Sequence, residues 1–308
     1  MSEIRNARRA PQEPTAAIAP GAADAAPVLD VRDLERRFAG LRAVDGVSFT
    51  VGRGEVVSII GPNGSGKTTT LNLVTGVIPP HGGEIRLEGR RIDRLDPASI
   101  AEAGVARTFQ NGRVFGALTV ADNIEVGMHA TLRAARPFRR LSRAFLLRWI
   151  PLLAELWLAL VPTRAVRRER AAAADRVEAE LGRFGQRLGP RRDDFAYTLS
   201  YANRRRTEIA RALALGPTLL VLDEPTAGMN QSETAEVLEQ LLELKAAGQT
   251  MLLVEHKLDL VMTVSDRVIV MDGGRIIAEG RPEDVRRDPA VVEAYLGRRR
   301  EPYAGEGI

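Results

Sequence analysis

Residues Gly61 to Thr68 read GPNGSGKT, and the fold follows from what stands on either side of them. Glu55 to Ile60 (EVVSII) is a short apolar run of strand type, and Thr69 to Val77 reads as the start of a helix. A strand, a glycine-rich turn and a helix is the context in which this motif cradles phosphate. Gly61, Gly64 and Gly66 have no Cβ, so the backbone can curl through positive φ and point successive N–H groups at a polyphosphate. The helix that follows adds its unsatisfied amides and the positive end of its dipole. Lys67 is expected on the β- and γ-phosphates and the Thr68 hydroxyl on Mg²⁺. The expected nucleotide-binding set is Gly61, Pro62, Asn63, Gly64, Ser65, Gly66, Lys67, Thr68 and Thr69.

The 308 residues are long enough for one large domain or two small ones, and 44% hydrophobic content is that of a globular chain. No run of eighteen uncharged apolar residues is present, so no transmembrane helix is expected. The first residues lack the apolar stretch of a signal peptide, which points to the cytosol. The absence of cysteine excludes disulfides, thiolate metal sites and cysteine nucleophiles. The net charge is only +4 although the pI is about 9.8, so a basic surface facing nucleic acid or an anionic membrane leaflet depends on how the charge is distributed.

Residues 1–27, rich in Ala, Pro and Arg, read as a disordered tail, and 301–308 as a second tail. Val28 to Leu34 and Gly46 to Val51 read as strands. Between them Phe38 is either an aromatic free to stack on a planar base or a core residue. Glu84 to Glu88 is a further short strand. GVARTFQ, 104–110, ends in Gln110, whose amide can accept from and donate to a metal-bound water. From about 112 to 200 the pattern turns helical, with an extended insertion at about 133–170. There ten arginines stand against two glutamates, and nine of the arginines flank the apolar run Phe145 to Val161. That run is interrupted by Arg148, Pro151 and Glu155. It reads either as a buried helical hairpin or as an element docking on a partner or a headgroup interface.

Ser200 can cap the helix that follows it, leaving amides facing anything bound at its N-terminus. Thr218 to Glu224 (TLLVLDE) is a buried strand ending in two carboxylates. Burying an unpaired carboxylate costs several kcal/mol, so a cation or water is expected beside them. Asp223 is the expected Mg²⁺ orienter and Glu224 the base for an attacking water. Pro225 to Asn230 reads as a turn, Ser232 to Ala247 as a helix and Met251 to Glu255 as a strand. His256 at its end is expected on the same sheet edge as Lys67 and Glu224. Arg267 to Met271 is another strand, and Glu283 to Leu296 a terminal helical region.

In this order and spacing, GPNGSGKT, the Gln110 segment, LSYANRR, LLVLDEP, the TAGMN turn and His256 resemble the ATP-binding subunits of ABC transporters. The resemblance covers nearly everything from Val28 to Gly297. ARTFQNGRVFGALTVADNI, LVEHKLDLVM, SDRVIVMDGG and IIAEGRPEDVRRDPAVVEAYLG look like the ATPases of branched-chain and other hydrophobic amino acid importers. The implied fold is an α/β P-loop cassette over 28–300, with a mixed sheet core, an antiparallel β subdomain and a helical subdomain. The resemblance further implies ATP and Mg²⁺ as cofactors, Phe38 stacking on adenine, Gln110 sensing Mg²⁺ and coupling to the membrane subunits, and His256 reaching the γ-phosphate. Ser200 and Ala202 would meet the ATP held by a second ATPase subunit in a head-to-tail dimer. Membrane permease subunits, and indirectly a periplasmic solute-binding protein, complete the implied assembly on the cytoplasmic face of the inner membrane.

Two departures stand out. Relatives usually carry LSGGQ or LSYGQ, and here Ala202 and Asn203 replace the last Gly and the Gln. A Cβ at Ala202 either crowds the phosphate and resists positive φ, making that site weaker and a different ATPase chain the partner, or is tolerated because the helix-terminal amides and Ser200 suffice. Asn230 stands where many relatives have Asp. Two other readings stay open. A lipid or lipopolysaccharide exporter ATPase shares much of the ending. A soluble nucleic-acid-associated ABC ATPase tends to carry two cassettes or a coiled-coil insertion, whereas this chain has one phosphate loop and no sustained heptads, so nucleic acid is not expected as a partner.

Overall fold

The computed structural model describes residues 26–108, 114–129 and 163–296. Residues 1–25 of the expected tail, Gln110, the apolar run 145–161 with most of the insertion, and the tail 301–308 lie outside the described residues. In chain order the strands are β1 (Leu29–Phe38), β2 (Leu41–Val51), β3 (Val56–Ile60), β4 (Gly82–Leu87), β5 (Arg90–Arg91), β6 (Val105–Arg107), β7 (Leu219–Asp223), β8 (Met251–Val254), β9 (Arg267–Asp272) and β10 (Arg275–Gly280). The helices are α1 (Lys67–Val74), α2 (Pro97–Glu102), α3 (Val120–Gly127), α4 (Arg164–Arg183), α5 (Gly185–Leu188), α6 (Tyr201–Ala214), α7 (Gln231–Ala246), α8 (Leu258–Val264), α9 (Pro282–Arg287) and α10 (Pro289–Leu296).

Strands β3, β7 and β8 are apolar on both faces because both faces are covered. In β7, Leu219 and Val221 join a core shared with α1 and the antiparallel sheet β2-β1-β4-β5. Leu220 and Leu222 join the core under α3, α4, α6 and α7. The central sheet runs β10-β9-β3-β8-β7-β6, parallel except for the antiparallel edge strand β10. Pairing of Ile59 with Val254, and of Val254 with Asp223, brings the C-terminal ends of β3, β8 and β7 to one edge. The phosphate loop, His256 and Glu224 therefore leave the sheet side by side.

The helical part is organised by caps and one buried stripe. Thr119 and Asp122 form a capping box at α3, and Thr163 caps α4, which contains the expected helical stretch 170–181. Val166, Ala173, Val177 and Leu181 line the buried face of α4 at helical spacing. Helix α1 starts at Lys67, where the helix after the loop is expected to begin, because Gly66 at φ 107° can bend directly into the first turn. Strands β5, β6 and β10 and helices α2 and α8 are additions to the sequence reading. The terminal helical region divides into α9 and α10 because Asp288, which precedes Pro289, is held extended.

Candidate active site

The phosphate loop is shaped by close approach of backbone. A Cβ on Gly61 (φ 146°) would fall 2.1 Å from the Met271 carbonyl oxygen, and one on Gly66 (φ 107°) 2.4 Å from that of Ala43. Only glycine fits at either place. The Lys67 ammonium is buried in the loop and donates to the carbonyls of Gly61 and Pro62, both at 2.9 Å. Burial pulls its pKa below that of an ordinary lysine, while the Glu224 and Asp223 carboxylates oppose the shift. Asn63, Gly64 and Thr68 are exposed, Pro62 and Thr69 half-buried and Ser65 buried.

Gly274 ties the loop to the antiparallel sheet: its N–H donates to the Ser65 carbonyl at 3.0 Å, and its own carbonyl accepts from the Asp45 N–H at 2.9 Å. The β1–β2 hairpin is thereby held beside the loop, with Phe38 opposite Leu41 at its tip. Phe38 is 43% exposed and packs against the Arg36 guanidinium, 4.8 Å from the ring centre. Exposure rules out the core reading of this aromatic.

The two carboxylates at the end of β7 have different surroundings. Asp223 Oδ2 accepts from Arg107 Nη2 at 2.9 Å, and Arg107 Nη1 donates to Asn72 Oδ1 (2.7 Å) and Thr75 Oγ1 (2.8 Å). Asp223 Oδ1 is buried with no hydrogen-bond partner among the described residues. Glu224 has φ 47°, an unusual conformation for a residue with a side chain. Its N–H donates to the Val254 carbonyl at 2.8 Å. The buried guanidinium of Arg205, paired with Glu208 at 2.7 Å, donates to the carbonyls of Asp223, of Glu224 at 2.9 Å and of Pro225 at 3.3 Å. With the backbone gripped in this way, Glu224 Oε1 meets His256 Nε2 at 2.8 Å. The expected gathering of Lys67, Glu224 and His256 on one edge is present, with Asp223 at the same strand end.

Ser200 caps α6, its exposed hydroxyl accepting from the Asn203 N–H at 3.3 Å. The expectation for Ala202 needs correction. The residue lies inside α6 and does not have positive φ; it is 2% exposed and its methyl packs into the core under the central sheet. The Cβ points away from the exposed end of the helix, so the steric ground for a weakened site is gone. Asn203 Oδ1 is likewise turned inward, accepting from Arg206 Nη1 at 2.8 Å. Asn230 caps α7 in a box with Glu233, a role that Asn and Asp fill equally well.

Residues 44–227 match the family model of ABC transporters, and residues 275–301 that of the branched-chain amino acid ATP-binding cassette transporters. The chain belongs to the ABC transporter family. LivG of Salmonella typhimurium, described as a high-affinity branched-chain amino acid transport ATP-binding protein, is 41% identical over 272 residues, 88% of this chain and 98% of its own length. BraF of Pseudomonas aeruginosa, described in the same words, is 40% identical over 277 residues, again 88% and 98%. A nucleotide-free ATP-binding cassette from an ABC transporter superposes with TM-score 0.69 at 33% identity, over 89% of this chain and 100% of that one. An ABC transporter cassette in its ADP conformation gives 0.69 at 32% identity with the same coverage. This chain is an ABC ATPase of the branched-chain amino acid type, with the mixed core, antiparallel β subdomain and helices of that fold.

Sequence reasoning passes over three residues of this ABC cassette that the geometry singles out: Arg107, Arg205 and Glu255. Each is a buried charge with at least one partner distant in sequence, which no local pattern announces. Arg107 offers the one usable signal, a charged residue inside the short strand that pairs with the strand carrying Asp223.

Proposed function

We propose that this ABC ATPase drives uptake of branched-chain or other hydrophobic amino acids through permease subunits, from the cytoplasmic face of the membrane and with a solute-binding protein delivering the solute. The match of residues 275–301 to the branched-chain amino acid model carries the reading, because it covers β10, α9 and α10 outside the part matched by the general ABC model. The names of LivG and BraF support it. Among the described residues no helix is long and apolar enough to cross a membrane, which fits a subunit that relies on others for the pore. The test is ATP hydrolysis in proteoliposomes holding this chain, its permeases and its binding protein. Stimulation by binding protein loaded with leucine, isoleucine or valine is expected; stimulation by a lipid substrate alone would point to the exporter reading.

In hydrolysis, Glu224 takes the proton of the attacking water and His256 orients it from 2.8 Å while reaching toward the γ-phosphate. Lys67 exchanges the carbonyls of Gly61 and Pro62 for phosphate oxygens. Phe38 stacks on the adenine. The donor set fits Mg²⁺: Asp223 keeps one buried carboxylate oxygen without a hydrogen-bond partner among the described residues, and Thr68 adds an exposed hydroxyl at the start of α1. Thr68 and Asp223, with Gln110, would hold the ion, which supplies charge neutralisation of the phosphates. Ser200 and the first N–H groups of α6, Ala202 among them, serve the nucleotide of a second ATPase subunit. That subunit pairs head to tail with this chain, and a different ATPase chain as partner is compatible with the altered signature, although Ala202 does not require it.

A further inference from the structure

The pair Glu224 and His256 is supported from behind by a residue to which nothing above gives a role. Glu255 directly follows β8, its side chain turned inward and 2% exposed. Its Oε1 accepts from the Thr226 N–H at 2.9 Å and the Thr226 hydroxyl at 2.5 Å. Its Oε2 accepts from the N–H of His256 at 2.8 Å and of Lys257 at 3.3 Å. One oxygen thus holds the turn after Glu224 and the other holds the segment carrying the histidine. Lys257 makes a second tie, its ammonium donating to the Met229 carbonyl at 3.1 Å and the Thr234 hydroxyl at 2.5 Å. The turn 225–230 is clasped to the histidine segment at both ends.

We propose that Glu255 is a positioning residue for hydrolysis, its carboxylate joining the Pro225–Asn230 turn to the His256 segment so that Glu224 and His256 keep their register. The chemistry of the contact calls for a carboxylate. All four partners are donors, and an ionised carboxylate offers acceptors only, two oxygens with about four lone-pair sites. A glutamine in the same place turns an NH₂ toward two of those donors whichever way it flips. The clasp also links motions: a shift of the turn carries the His256 backbone with it, because the two segments share one buried carboxylate. Lys67 and the phosphate loop take no part in these bonds, so ATP capture and the hydrolytic step are separable at Glu255.

The inference rests on Glu224 being the base and His256 its partner, and the test keeps the two claims apart. Glu255→Gln is compared with wild type and Glu224→Gln in the assembled transporter, measuring ATP affinity and kcat separately. Glu255→Gln is expected to lower kcat roughly ten- to hundredfold, as misplacement by about 1 Å does, with ATP affinity within about twofold. Thr226→Val, which removes one donor, lowers kcat in the same direction, and Thr226→Ser restores it. Glu255→Gln with Thr226→Val is no worse than Glu255→Gln alone, since both act through one contact. Wild-type kcat in Glu255→Gln beside an inactive Glu224→Gln would overturn the clasp and leave the base assignment standing. Parallel loss of ATP affinity and kcat would also overturn it, as a general structural role. If Glu255→Gln does not fold, equal turnover in Thr226→Val and Thr226→Ser overturns the proposal and unequal turnover supports it. Undiminished turnover in Glu224→Gln is the separate result that removes the base beneath it.

Discussion

Asp223 and Glu224 are neighbours in the chain yet are held by different means, and the difference assigns them different work. Asp223 is fixed by one buried cation, Arg107, and keeps Oδ1 without a hydrogen-bond partner among the described residues; Glu224 is fixed through its backbone by Arg205 and presents its side chain to His256. Removing one partner of a buried ion pair leaves an uncompensated charge, a loss of about 3–5 kcal/mol. Arg107→Met is therefore expected to destabilise the fold by that order. Mg²⁺ with ATP, which restores a cation near Asp223, should raise the melting temperature of the variant more than that of wild type. Equal increments in a thermal melt would show that Arg107 does not serve Asp223 in this way. That Asp223 and Glu224 need partners was legible, since two carboxylates at the end of an apolar strand are costly without one. Arg107 and Arg205 as their holders were not, because pairing across 116 or 19 residues is set by the sheet and not by local pattern.

At the scale of elements, caps and close approaches account for where secondary structure begins and ends. The box of Asn230 with Glu233 starts α7 immediately after the turn that follows Glu224, so the cap also fixes where the turn stops. Asn230→Ala should lower stability by about 1 kcal/mol, whereas Asn230→Asp should be nearly neutral in urea denaturation. A loss with Asp as large as with Ala would contradict the capping account. Strands β3, β7 and β8 and the phosphate loop were readable from continuous apolar runs and glycine spacing. Strand β10 was not: its residues are exposed or half-buried in alternation, and it is recruited by pairing with β9.

For the molecule as a whole, three strand ends on one edge of the central sheet bring together residues from Lys67 to His256. The signature at Ser200 stands apart on the N-terminus of α6, where it can serve a second subunit. Since the methyl of Ala202 is buried away from that end, Ala202→Gly is expected to change turnover by no more than about twofold. A large gain in the assembled transporter would restore the unequal-site expectation. The central claim is that Glu224, set on His256 and aimed from the end of β7, is the base for ATP hydrolysis. The most direct measurement is single-turnover ATP hydrolysis by the assembled transporter carrying Glu224→Gln, with ATP binding measured on the same sample. With Glu224 as the base, ATP binding is expected within about twofold of wild type and hydrolysis reduced by roughly a hundredfold or more. Hydrolysis at the wild-type rate with Gln at 224 would contradict it.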